Sequence, residues 1–517
     1  MLDPDTCYRA LQTRDERFDG RIFVAVTSTG IYCRPVCPAR PPRPEHCRFY
    51  PTAAAAQEAG FRPCLRCRPE TAPDLGPWRG TSNTVSRGLA LIAEGELDGD
   101  EASVESLAER LGVGGRQLRR LFQQHLGASP LAVAQTRRVL FAKQLIHDTR
   151  LPMAEIALAA GFGSVRRYNE TFQHLFQRPP SALRRRAVDA LPEGSVQGRG
   201  VTVRLRYRPP YDWAQMVSYL RARAIEGVES VEGDRYARTW LPEGAHPGAR
   251  PGRAGPATVE VVHRPQARSL EATIRCPHVR ALPGIVARIR RAFDLGADVA
   301  AIGAHLSSDP LLAPLVAERP GLRAPGGWDG FELGARAVLG QQVSVEAGRR
   351  LVARLARLCG TPLAPRHTGH AALCLLFPTA AQVAEADLST LGVPRARRDA
   401  LVALARAAMA DPSLFHALES VDATVARLRA VHGVGEWTAQ YIALRAAREP
   451  DAFPAGDAAL LRGAAGAGGA RPSPRALLAR SERWRPWRAY AAAHLWAAAT
   501  SPPGPLSAGG EGERGMP

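Results

Sequence analysis

Apolar and polar positions divide the chain into stretches of different period. Residues 1–75 carry short alternating pieces such as RIFVAVTS and CRFY, set among Cys, Pro and Arg, which predict brief strands. From Thr84 to about Arg186 apolar residues recur at helical spacing, punctuated by single-glycine turns. VTVRLRY and TVEVVH then alternate with period two and predict a small sheet around the helical pattern DWAQMVSYLRARA. Helical spacing returns from about Arg280 to Thr500. The stretches LGPWRGTSN and LPEGSVQGRG read as linkers, and SPPGPLSAGGEGERGMP as a disordered tail. A multidomain, mostly α protein follows, with segments at 1–75, 84–187, 200–275, 276–500 and 501–517. The only internal repetition is a pair of related helix-turn-helix patterns.

A length of 517 residues fits two to four domains rather than one core. The formal charge of +19 and pI near 10.4 point to a polyanionic partner. Ribosomes, anionic membranes or solubility alone would fit the same charge. Lys143 is the only lysine, every other cation being Arg, which coding bias explains. No apolar segment follows the start and no run approaches a membrane span, so a cytoplasmic protein is expected.

Four of the nine cysteines form two close pairs, Cys33/Cys37 in GIYCRPVCP and Cys64/Cys67 in FRPCLRCRP. Without a secretory signal this pattern reads as metal rather than disulfide, and two such pairs suit one tetrahedral Zn²⁺. A closed structural site is the commoner use of a bare four-cysteine pattern. The flanks change that weighting. Residues 23–70, FVAVTSTGIYCRPVCPARPPRP through FRPCLRCRPE, resemble the N-terminal domain of the Ada family of methylation-responsive regulators. The resemblance implies that Cys33 is both zinc ligand and acceptor of a methyl group from a DNA phosphotriester, with Cys37, Cys64 and Cys67 completing the ligand set. Zinc would keep the thiols deprotonated, and methylation of one would remove a negative charge from a DNA-facing surface and tighten binding. Arg34, Arg66 and Arg68 are candidate phosphate contacts, although solvated surface arginines are the ordinary case. Cys7 and Cys47 read as ordinary thiols.

SVESLAERLGVGGRQLRRLFQQHLGASP and PMAEIALAAGFGSVRRYNETFQHLFQRPPSAL each read as helix, glycine turn, helix. Helical spacing alone is more often core packing than recognition. The second unit, however, resembles the AraC-type regulator signature. Recognition helices starting near Gly114 and Gly163 would place Arg116, Gln117, Arg120, Arg166 and Arg167 toward a major groove. About half of these arginines are expected to touch only the phosphate backbone.

In RAVHGVGEWTAQYIALRAAREPDAFPAGDAALL, Gly433 and Gly435 form a tight turn whose amides can take phosphate at a helix N-terminus. Asp457 lies before an apolar helical run, where an isolated Asp is most often an N-cap. Residues 201–500 nevertheless resemble the AlkA group of 3-methyladenine glycosylases in the helix-hairpin-helix superfamily, from RPPYDWAQMVSYLRARA through GQQVSVEAG to ERWRPWRAYAAAHLW. The expected fold is a small α+β domain followed by a helix-hairpin-helix bundle. The resemblance implies hydrolysis of the N-glycosidic bond of an alkylated, flipped-out base. Asp457 would stabilise the oxocarbenium ion, and Tyr219, Trp437, Tyr441 and Trp496 would line the base pocket, their faces suiting a cationic base. For any one of these aromatics, plain core packing competes evenly. Gln341 and Gln342 fall in the DNA-facing turn, with a polar Gln342 where relatives place an aliphatic wedge.

Strand-cleaving relatives use a lysine amine, and this half contains none, Trp437 standing at that position. Cys276, Cys359 and Cys374 offer no iron–sulfur cluster, so one zinc ion is the only cofactor expected. RCPHVR has the residues of an alkylguanine-methyltransferase acceptor in the wrong order, and no direct demethylation of guanine is expected. The partners implied are alkylated and promoter duplex DNA and RNA polymerase, in a bacterial cytoplasm near the nucleoid, with no membrane. A transcription regulator that retains the other two modules only as DNA-binding surfaces is the alternative.

Overall fold

The computed structural model describes residues 3–73, 83–98, 103–184, 200–241, 255–364, 368–465 and 469–500. The tail expected at 501–517, and the linkers expected around 75–82 and 191–199, lie outside them.

The N-terminal module opens with α1 (Pro4–Gln12), whose first turn is capped by Asp3 accepting from the Thr6 amide at 3.0 Å. Strands β1 (Phe23–Val26), β2 (Ile31–Cys33), β3 (Cys47–Tyr50) and β4 (Arg62–Pro63), with α2 (Ala53–Glu58), form a sheet of order β3-β1-β2-β4. Its central apolar cluster is little more than Phe23, Ala25, Tyr32 and Ala56. A core this small is of the size that metal ligation commonly supports.

Six helices follow: α3 (Asn83–Glu94), α4 (Val104–Arg110), α5 (Gly115–Leu126), α6 (Pro130–Asp148), α7 (Met153–Ala159) and α8 (Val165–Phe176). Leu118, Phe122 and Leu126 on α5, and Tyr168, Phe172 and Phe176 on α8, recur every four residues and are buried. Both recognition helices begin one to two residues later than expected, because Gly114 and Ser164 act as N-caps. The Ser164 hydroxyl accepts from the Arg167 amide at 3.1 Å.

The next sheet runs β5 (Val201–Arg206), β6 (Glu229–Glu232), β7 (Arg235–Trp240), β8 (Ala257–Arg264) and β9 (Ser269–Arg275), in the antiparallel order β5-β9-β8-β7-β6. Helix α9 (Trp213–Arg223) lies between β5 and β6 in sequence. A break is expected after Arg275, but the core of the sheet runs on through Leu295 and takes in Trp328. The apolar stripe of α10 (Leu282–Ala292) packs into the same core as the sheet, and that core also takes in Val139 of α6 together with Ile156 and Phe172 of the second helix-turn-helix. The Gln144 side chain donates to the Arg204 carbonyl at 2.8 Å across this junction.

The remaining helices build the last core, from α11 (Val299–Leu306) and α12 (Ala313–Glu318) through α13 (Gly330–Leu339) and α14 (Val345–Cys359). They continue with α15 (Ala380–Glu385), α16 (Arg395–Ala410), α17 (Val421–Arg429), α18 (Glu436–Arg445), α19 (Ala458–Ala465), α20 (Pro474–Ser481) and α21 (Arg488–Thr500). Between sheet and bundle sits a buried charge cluster. Arg238 bonds Glu332 at 2.7 Å, and Arg336 bonds Glu229 at 2.5 Å and Glu332 at 2.8 Å. Burial pushes the Glu332 carboxyl up, but Arg238 and Arg336 outweigh it and hold it at about 2.

Candidate functional site

Two separate sites emerge. The first is the cysteine cluster. Cys33 ends β2, Cys37 follows in the next turn, and Cys64 and Cys67 flank the loop after β4. One ligand atom from each lies within 4.8 Å of the others, a spacing that suits a single tetrahedral ion. All four are free thiols. Backbone amides support the sulfurs, Arg34 N–H to Cys67 Sγ at 3.4 Å and Arg66 N–H to Cys64 Sγ at 3.3 Å. These donors favour thiolates, so the residues present fit Zn²⁺. Cys37, Cys64 and Cys67 are buried, whereas Cys33 is partly open to solvent, which is what a nucleophile among ligands requires.

The arginines around the cluster divide. Arg34 is no phosphate contact: its side chain is buried, with Nε on Asp19 at 2.8 Å and Nη1 on the Thr71 hydroxyl at 2.7 Å and the Cys67 carbonyl at 3.2 Å. A guanidinium already committed to a buried carboxylate holds the metal loop together instead. Arg68 bridges Glu70 and Asp148, both at 2.9 Å, so only Arg66 of the three stands exposed. Lys143 is fully buried and donates to Glu70 at 2.6 Å and to the Cys64 carbonyl at 2.8 Å, tying α6 to the metal loop. The sequence signal for this junction is a solitary lysine on an otherwise apolar helix face, which calls for a buried partner.

Arg116, Gln117, Arg120, Arg166 and Arg167 all stand exposed on α5 and α8. Arg120 donates to Gln117 at 3.0 Å and Arg166 pairs with Glu170 at 2.8 Å, both within their own helix.

The second site forms around Asp457. Its Oδ1 accepts the amides of Ala459 and Leu460, each at 2.9 Å, so it does cap α19. The same oxygen accepts Trp496 Nε1 at 2.9 Å, and Oδ2 accepts Trp437 Nε1 at 2.8 Å. Cap and indole-held carboxylate are thus one residue, with Oδ2 the less committed oxygen. Trp437 stacks on Tyr441 at 5.4 Å and 16°, and Tyr441 meets Trp496 edge-on at 6.2 Å. Tyr219, Trp437, Tyr441 and Trp496 are each only partly buried, whereas the neighbouring Trp484 and Tyr490 are fully buried core. That contrast sets the four apart from the buried core beside them. Arg445 and Arg223, which the sequence reading passed over, stack on Tyr219 with Cζ at 4.8 and 4.1 Å from its centroid. The spacing 437, 441, 445 on α18 was the available signal.

The turn between α17 and α18 completes this region. Gly433 has φ +78°, and a Cβ there would lie 2.2 Å from Ala400 Cβ, so only glycine fits. Gly435 caps α18 in open space. The Gln341 amide reaches this turn, donating to the Gly433 carbonyl at 3.2 Å and to Thr438 Oγ1 at 2.9 Å. Beside it Gln342 is exposed with φ +55°. Cys276, in the misordered acceptor motif, is buried, and burial pushes its thiol up to about 12. A cavity of about 770 Å³, bordered by Glu70, Arg87, Glu94 and Arg291, contains neither Cys33 nor Asp457.

Family models match all four parts of the chain: the metal binding domain of Ada at 6–70, a helix-turn-helix domain at 107–186, the AlkA N-terminal domain at 202–329, and the HhH-GPD superfamily of base excision DNA repair proteins at 335–489. The DNA-3-methyladenine glycosylase 2 of Escherichia coli is 34% identical over 297 residues, 56% of this chain and 95% of its own. The bifunctional transcriptional activator/DNA repair enzyme Ada of Escherichia coli is 34% identical over 137 residues, 26% of this chain and 37% of its own. A Mycobacterium tuberculosis protein named "Probable bifunctional transcriptional activator/DNA repair enzyme AlkA" is 42% identical over 500 residues, 96% of both chains. Likeness of that order over nearly the whole of two chains leaves one placement: this chain belongs to the AlkA family of bifunctional transcriptional activator/DNA repair enzymes.

Proposed function

We propose that the chain takes methyl groups from DNA phosphotriesters onto Cys33, activates transcription through its helix-turn-helix pair, and excises alkylated bases of the 3-methyladenine type by hydrolysis at Asp457. Bound Zn²⁺ supplies charge that keeps the four sulfurs deprotonated at neutral pH. The Cys33 sulfur attacks the methyl carbon, an S–C bond forms, and the C–O electron pair returns to the phosphate as a diester anion. The thioether left on Cys33 carries one negative charge fewer, so the module repels phosphates less and the chain binds its promoter more tightly. Cys37, Cys64 and Cys67 are the remaining ligands, and Arg66 is the exposed cation beside them.

At the second site water adds to the sugar C1′ as the C1′–N bond breaks and its electron pair leaves with the base. Asp457 Oδ2 faces the positive charge that develops on the sugar, while Trp437 and Trp496 hold the carboxylate in place by their indole N–H groups. Gly433, Gly435 and the Gln341–Gln342 turn carry the duplex. With no lysine in this half, the reaction stops at base release. The partners are duplex DNA and RNA polymerase, in the cytoplasm at the nucleoid. No helix among the described residues is long and apolar enough to cross a membrane.

The observation that carries the excision reading is the Asp457 carboxylate, gripped by two indoles beside a group of half-buried aromatic rings. Methylated duplex incubated with wild type and Asp457→Asn, scored for released bases and abasic sites, tests it. Release should be lost in the variant; equal release by both would refute the assignment.

A further inference from the structure

Resting on the excision reading, we propose that Arg445, backed by Arg223, gives the base recess a fixed positive floor that assists departure of uncharged damaged bases and is dispensable for bases already carrying a positive charge.

Trp437, Tyr441 and Arg445 follow one another at i, i+4 and i+8, so they form one stripe along α18. Trp437 is the end of that stripe nearest Asp457, and Arg445 lies two turns further along. The Arg445 guanidinium is 3% exposed and contacts three recess aromatics, with Cζ 4.8 Å from the centroid of Tyr219, 4.9 Å from that of Trp496 and 5.8 Å from that of Tyr441. Nη1 donates to the Pro325 carbonyl at 2.7 Å, and Nε is buried with no hydrogen-bond partner. Among the described residues Arg445 has no carboxylate within salt-bridge distance, and neither does Arg223, unlike nearby Arg336 with Glu229 and Glu332. A cavity of about 30 Å³ borders Tyr219, Arg445 and Trp496 on the side of Asp212 and Arg323, apart from Trp437, Tyr441 and Asp457.

Buried guanidinium groups are ordinarily paired with acids, and a cation held only by a carbonyl and aromatic faces projects its charge into the space beside it. Tyr219 reports that charge. Burial alone would raise its hydroxyl, yet Arg445 and Arg223 outweigh burial and bring it below the ordinary tyrosine value. Trp496 joins the two charges of the site: its face meets Arg445 and its N–H holds Asp457. The recess is therefore polarised, negative toward the sugar and positive toward the base.

That polarity matters differently for two kinds of substrate. When the C1′–N bond breaks, the electron pair goes to the base while water oxygen bonds C1′ and one water proton is released. A cationic base leaves neutral and needs no help from a cation. An uncharged base leaves with negative charge developing on its ring until the proton reaches it, and a fixed guanidinium lowers that cost. Arg445 gives up no proton itself, since arginine stays charged. One face each of Tyr219, Tyr441 and Trp496 is engaged by this resident cation.

The test is single-turnover excision from duplexes carrying one hypoxanthine, which is uncharged, or one 7-methylguanine, which is cationic. Wild type is compared with Arg445→Met, which keeps the stem, and Arg445→Lys, which keeps the charge. The Met variant should slow hypoxanthine release by about tenfold or more while 7-methylguanine release stays within about twofold or rises. The Lys variant should keep most of the hypoxanthine rate. Equal loss on both bases in the Met variant would show a packing role and overturn the proposal, as would unchanged hypoxanthine release. Wild type releasing 7-methylguanine but never hypoxanthine overturns it too, whereas release of neither base removes the excision reading beneath it. Release of 7-methylguanine by the Met variant also certifies that it folds.

Discussion

Asp457 is held by four donors, two of them indole N–H groups that serve no purpose in a simple helix cap. Removing one such donor while keeping the ring should misplace the carboxylate without emptying the recess. A hydrogen bond to a charged group contributes about 1.5–3 kcal/mol, so Trp496→Phe should lower the single-turnover rate by roughly 10- to 100-fold. Binding of duplex containing an abasic site should change little, and a matching loss of binding would show that Trp496 only shapes the recess. The sequence reading of Asp457 as the acid rests on hairpin, gap and acid standing in order. Its indole partners were legible only as pocket wall, since nothing in spacing reveals that Trp437 and Trp496 point their N–H groups at one carboxylate. Arg34 went the other way. Beside a zinc cysteine it reads as a phosphate contact, and only the fold brings Asp19 from the preceding loop to bury it.

At the scale of elements, the hairpin turn depends on the left-handed Gly433, whose Cβ position is filled by Ala400 of α16. Gly433→Ala should therefore destabilise the protein by about 2 kcal/mol or more, from strained backbone and a forced shift of α16. Thermal melting reads this, and an unchanged melting temperature would contradict the close approach. The recognition helices make a different prediction. Arg116 and Arg166 are exposed with no buried partner, so replacing either with Ala should leave stability within about 0.5 kcal/mol. The slope of log binding constant against log salt should fall by roughly one for each phosphate contact removed. A slope that does not move would place that arginine off the DNA. Helical periodicity made these elements readable, because buried positions repeat every four residues on α5 and α8. Domain edges were less so: α10 reads like any amphipathic helix, and only its packing shows that it belongs with the sheet rather than with the bundle.

Over the whole molecule, buried ion pairs join parts that composition treats as separate. Glu332, held at about 2 by Arg238 and Arg336, prefers its charged form more strongly when folded than when unfolded. Its contribution is thus complete above the ordinary glutamate value of 4.5 and drains away as pH falls toward about 2. Glu332→Gln should cost about 3–5 kcal/mol near neutrality, because it leaves two buried guanidinium groups short of a partner. That deficit, read from melting temperatures, should shrink as the medium is acidified; a constant deficit would contradict the coupling. The central claim is that one polypeptide carries two independent chemistries, a methyl-accepting sulfur and a base-releasing carboxylate. It is tested most directly by mass spectrometry of a single reaction with methylated duplex, measuring both the Cys33 peptide and the free bases. Wild type should show a methyl gain and released bases, Cys33→Ser only the bases, and Asp457→Asn only the methyl gain. An unmodified Cys33 peptide, or base release untouched by loss of the carboxylate, would contradict the account.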